Sequence, residues 1–407
     1  MRRVAVTGIG IVSCLGNDEA SVIHHLRHGI SGVSFQADYE EHGLRSRVAG
    51  VPDLSQAPVV PRKWRRFMAD GALYAYHAMC NAVLDAGLSA QALSHPRTGL
   101  IVGSGVGSLL AHSIAVNTLK TKGVGKVGPY SVPKIMGSTA SANLATVFGI
   151  QGLSFTLASA CASSGHAIGI AADLIRWGRQ DVVFAGGAEE VAWTSAMPFD
   201  AMGVLSSAYP NSEASRPYDS TRDGFVIAGG AGFLVLEEWE RAVQRGATVY
   251  AELTGYGASS DGVDMVNPDP EGAARAMRQA IEEAGHDIDY INTHATSTTV
   301  GDLNELHAIR MVFGQRMPLI SSTKGLSGHA IGAAAVHEAI YGLLMMQEGF
   351  VAGSAHITQL DPACVDFPIV QASIPQQINA FLSNSFGFGG TNVSLVFKRV
   401  LGCPVQA

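Results

Sequence analysis

Ser164-Gly165-His166-Ala167-Ile168-Gly169 returns 163 positions later as Ser327-Gly328-His329-Ala330-Ile331-Gly332. The same offset carries Cys161 onto Lys324. Further echoes rule out chance in a Gly/Ala-rich chain. Asp223-Gly224-Phe225 to Gly229-Gly230-Ala231-Gly232-Phe233-Leu234-Val235 parallels Asn384-Ser385-Phe386 to Gly389-Gly390-Thr391-Asn392-Val393-Ser394-Leu395, and Thr7-Gly8-Ile9-Gly10 parallels Thr254-Gly255-Tyr256-Gly257. The chain therefore reads as a duplicated strand-turn-helix architecture. One copy carries a thiol, the other an amine beside a histidine, and a pseudo-twofold layout brings both to one cleft.

A length of 407 residues suits two domains or one large duplicated one. The expected halves are 1–245, with the cysteine, and 246–407, with the histidines. No low-complexity linker separates them, so they are fused rather than tethered. With 47% hydrophobic and 15% charged residues, the chain has much internal surface or an extensive subunit interface. The net charge of −7 excludes general nucleic-acid binding but leaves room for a local basic patch.

The five cysteines, Cys14, Cys80, Cys161, Cys364 and Cys403, are odd in number and scattered. They indicate a reducing, cytoplasmic setting without a disulfide framework. No clustered Cys/His spacing marks a metal site. Met1-Arg2-Arg3 and Ile11-Val12-Ser13-Cys14 mimic a lipoprotein signal, but Thr7, Gly8 and Gly10 interrupt the apolar stretch. The reading is a buried strand, Val4–Val6, running into a glycine turn. The candidate membrane span, Gly332–Met346, contains His337 and Glu338, so no membrane segment is expected.

Apolar runs bounded by glycine predict buried strands at 4–7, 98–102, 182–185, 232–236, 250–254, 291–293, 319–321, 381–384 and 393–397. Helical stretches fall between them at 69–86, 161–177, 272–283, 301–313 and 330–347. This alternation argues for α/β layers. The helix after Cys161 is apolar on nearly every face and lined with glycine and alanine, as expected of a helix buried between sheets.

Cys161 opens that helix, where the dipole and free N–H groups favour thiolate. Its own N–H can serve an oxyanion. A structural thiol is the alternative. His294 ends an apolar strand, the end at which α/β folds place chemistry. His329 starts a helix, whereas His166 reads as a core residue. Lys324, in a low-charge neighbourhood, needs a carboxylate partner, for which Glu305 is the candidate; Asp302 reads as a helix cap. Phe386-Gly387-Phe388-Gly389-Gly390-Thr391 reads as a mobile apolar gate or a β-bulge. The Gly8/Gly10 and Gly103/Gly105/Gly107 clusters lack the spacing of a dinucleotide loop.

The segments 4–10, 159–163, 224–230, 296–298, 323–329 and 383–392 together resemble a β-ketoacyl-acyl-carrier-protein synthase, most closely the bacterial type I elongating condensing enzyme. The resemblance implies a thiolase fold, a five-layer αβαβα sandwich of two duplicated halves, working as a homodimer without cofactor or metal. It implies decarboxylating condensation of malonyl-acyl-carrier protein with an acyl chain held on Cys161. His294 and His329 would stabilise the enolate, and the N–H groups of Cys161 and Phe388 would form the oxyanion hole. Lys324 paired with Glu305 would order the site. Thr296 and Thr298 match positions holding the pantetheine arm, Phe386 lies on the substrate side, and Lys63, Arg66 and Lys126 match positions docking the acidic carrier. Arg62 and Arg65 read as a solvated face.

Two departures stand out: the family's His-Gly-Thr-Ser-Thr-Pro is His294-Ala295-Thr296-Ser297-Thr298-Thr299 here, and Val106 occupies an acyl-pocket position that is glycine in the type I enzyme. Val106 is the only bulky residue among Gly103–Ser108, either an ordinary packing contact or a plug in the acyl tunnel. These departures leave open a ketosynthase of polyene or polyketide lipid assembly. A thiolase would need a second cysteine in a Cys-x-Gly setting, which Cys403-Pro404-Val405 does not match. A starter synthase would have asparagine for one histidine. A chain-length-factor partner would lack the cysteine.

Overall fold

The computed structural model describes residues 1–400; Cys403-Pro404-Val405 lies outside them. Ten strands form one continuous ladder: β1 (Val4–Val12), β2 (Thr98–Gly103), β3 (Ser154–Leu157), β4 (Val182–Glu189), β5 (Gly230–Glu238), β6 (Ala251–Ser260), β7 (Tyr290–Asn292), β8 (Leu319–Ser321), β9 (Ala380–Gly387) and β10 (Thr391–Lys398). Their order is β8-β7-β9-β10-β6-β1-β5-β4-β2-β3. From the central pair outward, β1-β5-β4-β2-β3 mirrors β6-β10-β9-β7-β8, so each strand matches the one five later. The pairing directions match too. β1·β5 and β5·β4 are antiparallel, as are β6·β10 and β10·β9, and the outer two pairs on each side are parallel. The halves join through two residue pairs, Ala5 with Glu252 and Val6 with Ala251.

The principal helices are α1 (Asp70–Asp85), α2 (Leu109–Lys122), α3 (Thr139–Phe148), α4 (Ser163–Arg176), α5 (Trp193–Met202), α6 (Pro270–Ala284), α7 (Gly301–Phe313) and α8 (Ala334–Glu348). α1 and α3 cover the outer face of the first half; α6 and α7 pack as a pair, with α6 against the second half. α4 and α8 lie between, touching each other and strands of both halves. The result is the five-layer αβαβα arrangement. α8 is buried on every face from Ala334 to Met346, which accounts for its lack of amphipathic pattern.

The duplicated glycines have a packing cause. A Cβ on Gly10 would lie 2.0 Å from the Ala78 carbonyl oxygen of α1, and one on Gly257 would lie 1.9 Å from that of Ala276 on α6. Only glycine lets each outer helix approach its strand this closely. The expected glycine turn after Val6 is absent: β1 runs through to Val12, with a bulge between Val6 and Gly8. The Phe386–Thr391 segment is likewise more regular than expected. β9 and β10 pair up to Gly387 with Thr391, leaving a three-residue turn in which Gly389 and Gly390 take φ of 83° and 68°. That turn is tied down by Gly389 N–H to the Met265 carbonyl at 2.8 Å and Asp261 N–H to that of Gly390 at 2.8 Å.

Candidate active site

The chain leaves β3 and enters α4 through Ala158–Ala162. Ala160 adopts φ of 48°, a left-handed conformation that costs a non-glycine residue about 1–2 kcal/mol. The turn is held by Ser163, whose hydroxyl donates to the Ala160 carbonyl at 2.6 Å and accepts from Ser159 N–H at 2.9 Å. It projects Cys161 just ahead of the helix, two residues before Ser163, rather than in its first turn. Burial pushes the Cys161 thiol up to about 11, against the pull of Lys324, the Phe388 N–H and its own N–H. The expected thiolate is therefore overruled. Helix position favours the anion, but desolvation outweighs it, and the resting group is a thiol.

His294 follows β7. Its backbone N–H donates to Glu305 Oε1 at 2.9 Å, and Ala295 N–H to Oε2 at 2.8 Å; Asn384 Nδ2 donates to Oε1 at 3.0 Å. Glu305, on α7, thus fixes the backbone beneath His294. Burial pushes it up to about 7 although these donors and Lys324 favour its anion. His329 is pinned through its backbone, donating to the Val226 carbonyl at 2.8 Å and accepting from Ala228 N–H at 2.9 Å. The two imidazoles meet edge to face, centroids 5.1 Å apart at 87°. His329 Nε2 lies 3.0 Å from Cys161 Sγ. The thiol and both imidazoles have ligating atoms within 4.8 Å of one another. Burial, then the Lys324 charge, holds both rings well below the ordinary histidine value. They are neutral at physiological pH.

Lys324 is buried, but its partner is Glu338 on α8, not Glu305. The sequence-based pairing failed because Glu305 spends its oxygens on backbone N–H groups. Glu338 lies on the following helix, 14 residues beyond Lys324, in a stretch whose all-round apolarity should itself have marked an unexplained charge. Asp302 is not a terminal cap either. It is buried, accepting from the N–H groups of Ser297, Thr298 and Tyr218 at 3.1, 3.3 and 3.1 Å. His166 is half-buried on α4 rather than enclosed in the core, its Nδ1 3.0 Å from the Ser159 hydroxyl.

A cavity of about 280 Å³ opens onto Cys161, His294 and His329, with Thr296, Thr298, Phe386 and Phe388 on its walls. The Thr296 and Thr298 hydroxyls lie 3.2 Å apart. Two further aromatics complete the wall, Phe199 and Phe225, the latter part of the repeat but not read there as a site residue: Phe225 stands 5.5 Å from the His329 ring and 5.4 Å from Phe199. Val106 does not line this cavity. It is 45% exposed in the single chain, and its N–H donates to buried Glu189 at 3.3 Å. Lys63, Arg66 and Lys126 are exposed, and the Arg66 guanidinium lies over Tyr130, at the end of the loop that carries Lys126. Arg65 is engaged with Asp70 and the Met68 carbonyl. Among the described residues no helix is long and apolar enough to cross a membrane.

A thiol just ahead of the buried central helix of one half, faced by two neutral imidazoles of the other and by two backbone donors, defines a thiolase-fold condensing enzyme of the Cys-His-His type. Comparison with known proteins agrees. Residues 1–242 match the Beta-ketoacyl synthase, N-terminal domain, and residues 250–358 the C-terminal domain. The chain is 50% identical over 406 residues to 3-oxoacyl-[acyl-carrier-protein] synthase 1 of Haemophilus influenzae, covering 99% of this chain and 100% of the relative. The crystal structure of a Beta-ketoacyl synthase from Burkholderia phymatum superposes with a TM-score of 0.92 at 36% identity, covering 98% of this chain and 100% of that one. A type II polyketide ketosynthase in complex with its acyl-carrier protein superposes at 0.88 and 29% identity, covering 98% and 100%. The chain belongs to the β-ketoacyl synthase family. It is a ketosynthase, an acyltransferase-type condensing enzyme.

Proposed function

We propose that this chain elongates fatty acyl chains by decarboxylating condensation of malonyl-acyl-carrier protein with an acyl group on Cys161. The observation that carries the reading is the 3.0 Å contact of His329 Nε2 with Cys161 Sγ beside the His294 ring. In the first half-reaction the thiol proton passes to a neutral imidazole as sulfur attacks the acyl thioester. The carbon–sulfur bond to the carrier breaks, and the leaving thiolate takes the proton. In the second, malonyl-carrier protein loses carbon dioxide, and the enolate oxygen accepts hydrogen bonds from the two imidazoles. Neutral rings suit this, because they donate without protonating the carbanion. The carbanion attacks the thioester on Cys161, and the N–H groups of Cys161 and Phe388 receive the oxyanion, each worth about 3 kcal/mol. The Cys161–carbon bond breaks, and the released thiolate regains its proton from solvent. Lys324 supplies the fixed positive charge that keeps the rings neutral and eases thiolate formation.

The same reading places the pantetheine arm on Thr296 and Thr298, beside Phe386, and the carrier protein on Lys63, Arg66 and Lys126, in the cytoplasm. It makes the enzyme a homodimer. β3 is a partly exposed edge strand preceded by exposed Leu153, and α2 buries none of its residues while exposing Ile114 and Leu119. Unpaired edge N–H and C=O groups with apolar neighbours call for a partner. Val106 lies at the end of that edge, since Ser104 N–H donates to the Leu157 carbonyl at 3.1 Å.

The test is incubation with acyl-loaded carrier protein followed by mass spectrometry. Wild type should carry one acyl group on Cys161, and Cys161→Ala should carry none and not condense while remaining folded. Condensation by Cys161→Ala would sink the reading.

A further inference from the structure

Thr296-Ser297-Thr298 presents two side chains to the cavity with a buried residue between them. That residue, Ser297, takes φ of 72°, a conformation that L side chains rarely adopt and that persists only where the surroundings impose it. Three groups impose it here. Asp302 accepts the Ser297 and Thr298 N–H groups, and the Ser297 hydroxyl accepts Arg216 N–H at 3.1 Å. The third is Arg222, which is 4% exposed. Its Nε donates to the Thr298 carbonyl at 3.1 Å and its Nη2 to the Thr299 carbonyl at 3.1 Å. Its Nη1 donates to Asp361 Oδ2 at 2.7 Å and to the Asp219 carbonyl at 2.8 Å, and Nε also lies 3.4 Å from Asp302 Oδ2.

We propose that Arg222 is a positioning residue: by clamping two successive carbonyls it sets the Thr296/Thr298 hydroxyl pair, and so the enzyme's affinity for the pantetheine arm, while touching neither substrate nor Cys161. The planar fork is what the role requires. Several N–H groups diverge from one rigid plane toward three carbonyls and two carboxylates, whereas an ammonium is a single point on a flexible stem. The clamp also bears on Thr299, where the chain lacks the family's loop-stiffening proline. The inference rests on the reading that Thr296 and Thr298 hold the arm.

The experiment measures kcat and KM with acyl- and malonyl-carrier protein, and the rate of Cys161 alkylation by iodoacetamide, which needs no arm. Arg222→Lys keeps the charge and loses the fork. It should raise KM for both carrier substrates about tenfold, equivalent to about 1.4 kcal/mol, with kcat and alkylation nearly unchanged. Asp361→Asn, which loosens the outer side of the clamp, should act in the same direction but more weakly, and serves if Arg222→Lys does not fold. Thr296→Val with Thr298→Val should raise KM likewise, and combining it with Arg222→Lys should add less than the sum of the two effects. Should the threonine variant raise KM while neither clamp variant does, Arg222 has no positioning role and the arm reading stands. An unchanged KM in the threonine variant would overturn the arm reading and this inference with it. Alkylation falling in step with kcat in Arg222→Lys would mark a general structural defect and overturn the inference alone.

Discussion

Replacing Lys324 with methionine tests the electrostatics of the site through the pH dependence of its cost. Lys324 and Glu338 are 1% and 2% exposed and hold each other in an ion pair. Burial pushes Glu338 up to about 7 even with the ammonium beside it. An acid raised in the folded state binds a proton that the unfolded chain has already lost. Its contribution to stability is therefore full below the unfolded value, about 4.3, and declines as pH rises to the folded value. Without Lys324 the folded value moves higher, and the decline continues past 7 in the variant after it has levelled off in wild type. Below about 7 Glu338 is largely neutral in both proteins, so Lys324→Met should cost within about 1 kcal/mol at pH 6. Above 7 the difference grows by up to about 1.4 kcal/mol per pH unit, reaching roughly 2 kcal/mol at pH 8.5. Glu338→Gln removes the titrating acid and with it this part of the decline with pH. Urea unfolding of the three proteins at pH 6 and 8.5 measures this. Glu189 is also pushed up to about 7 but does not feel Lys324 and cancels in the comparison, whereas Glu305, whose anion Lys324 also favours, moves in the same direction as Glu338 and adds to the pH dependence. A Lys324→Met cost that is the same at both pH values would refute the reasoning.

Three further outcomes follow from the same structure. Lys63→Glu with Lys126→Glu should raise KM for carrier-protein substrates and flatten its salt dependence; an unchanged KM at low salt would move the docking face elsewhere. Val106 lies outside the cavity of the single chain, so only if the acyl chain runs on to the sheet edge where Val106 sits should Val106→Gly shift kcat/KM toward longer acyl chains, each newly accommodated methylene being worth about 0.8 kcal/mol; equal changes at every chain length would show that Val106 does not gauge the chain. Gly257→Ala places a Cβ 1.9 Å from the Ala276 carbonyl oxygen and should cost roughly 1–3 kcal/mol or more in urea unfolding; wild-type stability would mean α6 yields where the packing says it cannot.

The duplication was legible in the sequence because equivalent structural demands recur: Gly10 and Gly257 each admit an outer helix, and the two Ser-Gly-His-Ala-Ile-Gly copies each precede or enter a buried central helix. Strand positions were legible because buried strands between helices are apolar runs. Gly301–Phe313 and Leu319–Ser321 were found to the residue. Cys161, His294 and His329 were recognisable as motifs, each at the end of a strand or beside the start of a central helix. What the sequence could not decide was who meets whom. Lys324 takes Glu338 rather than Glu305 because the fold gives Glu305 to the N–H groups of His294 and Ala295. Cys161 is a thiol because the assembled layers remove water, and desolvation outweighs the helix terminus that local sequence advertises. Phe199 closes the pocket from a segment with no chemical signature, and the repeat that carries Phe225 does not say that its ring faces His329. Local sequence sets propensity and residue type, whereas pairing, burial and the resulting charge states depend on distances between residues far apart in the chain, and only the folded layers fix those.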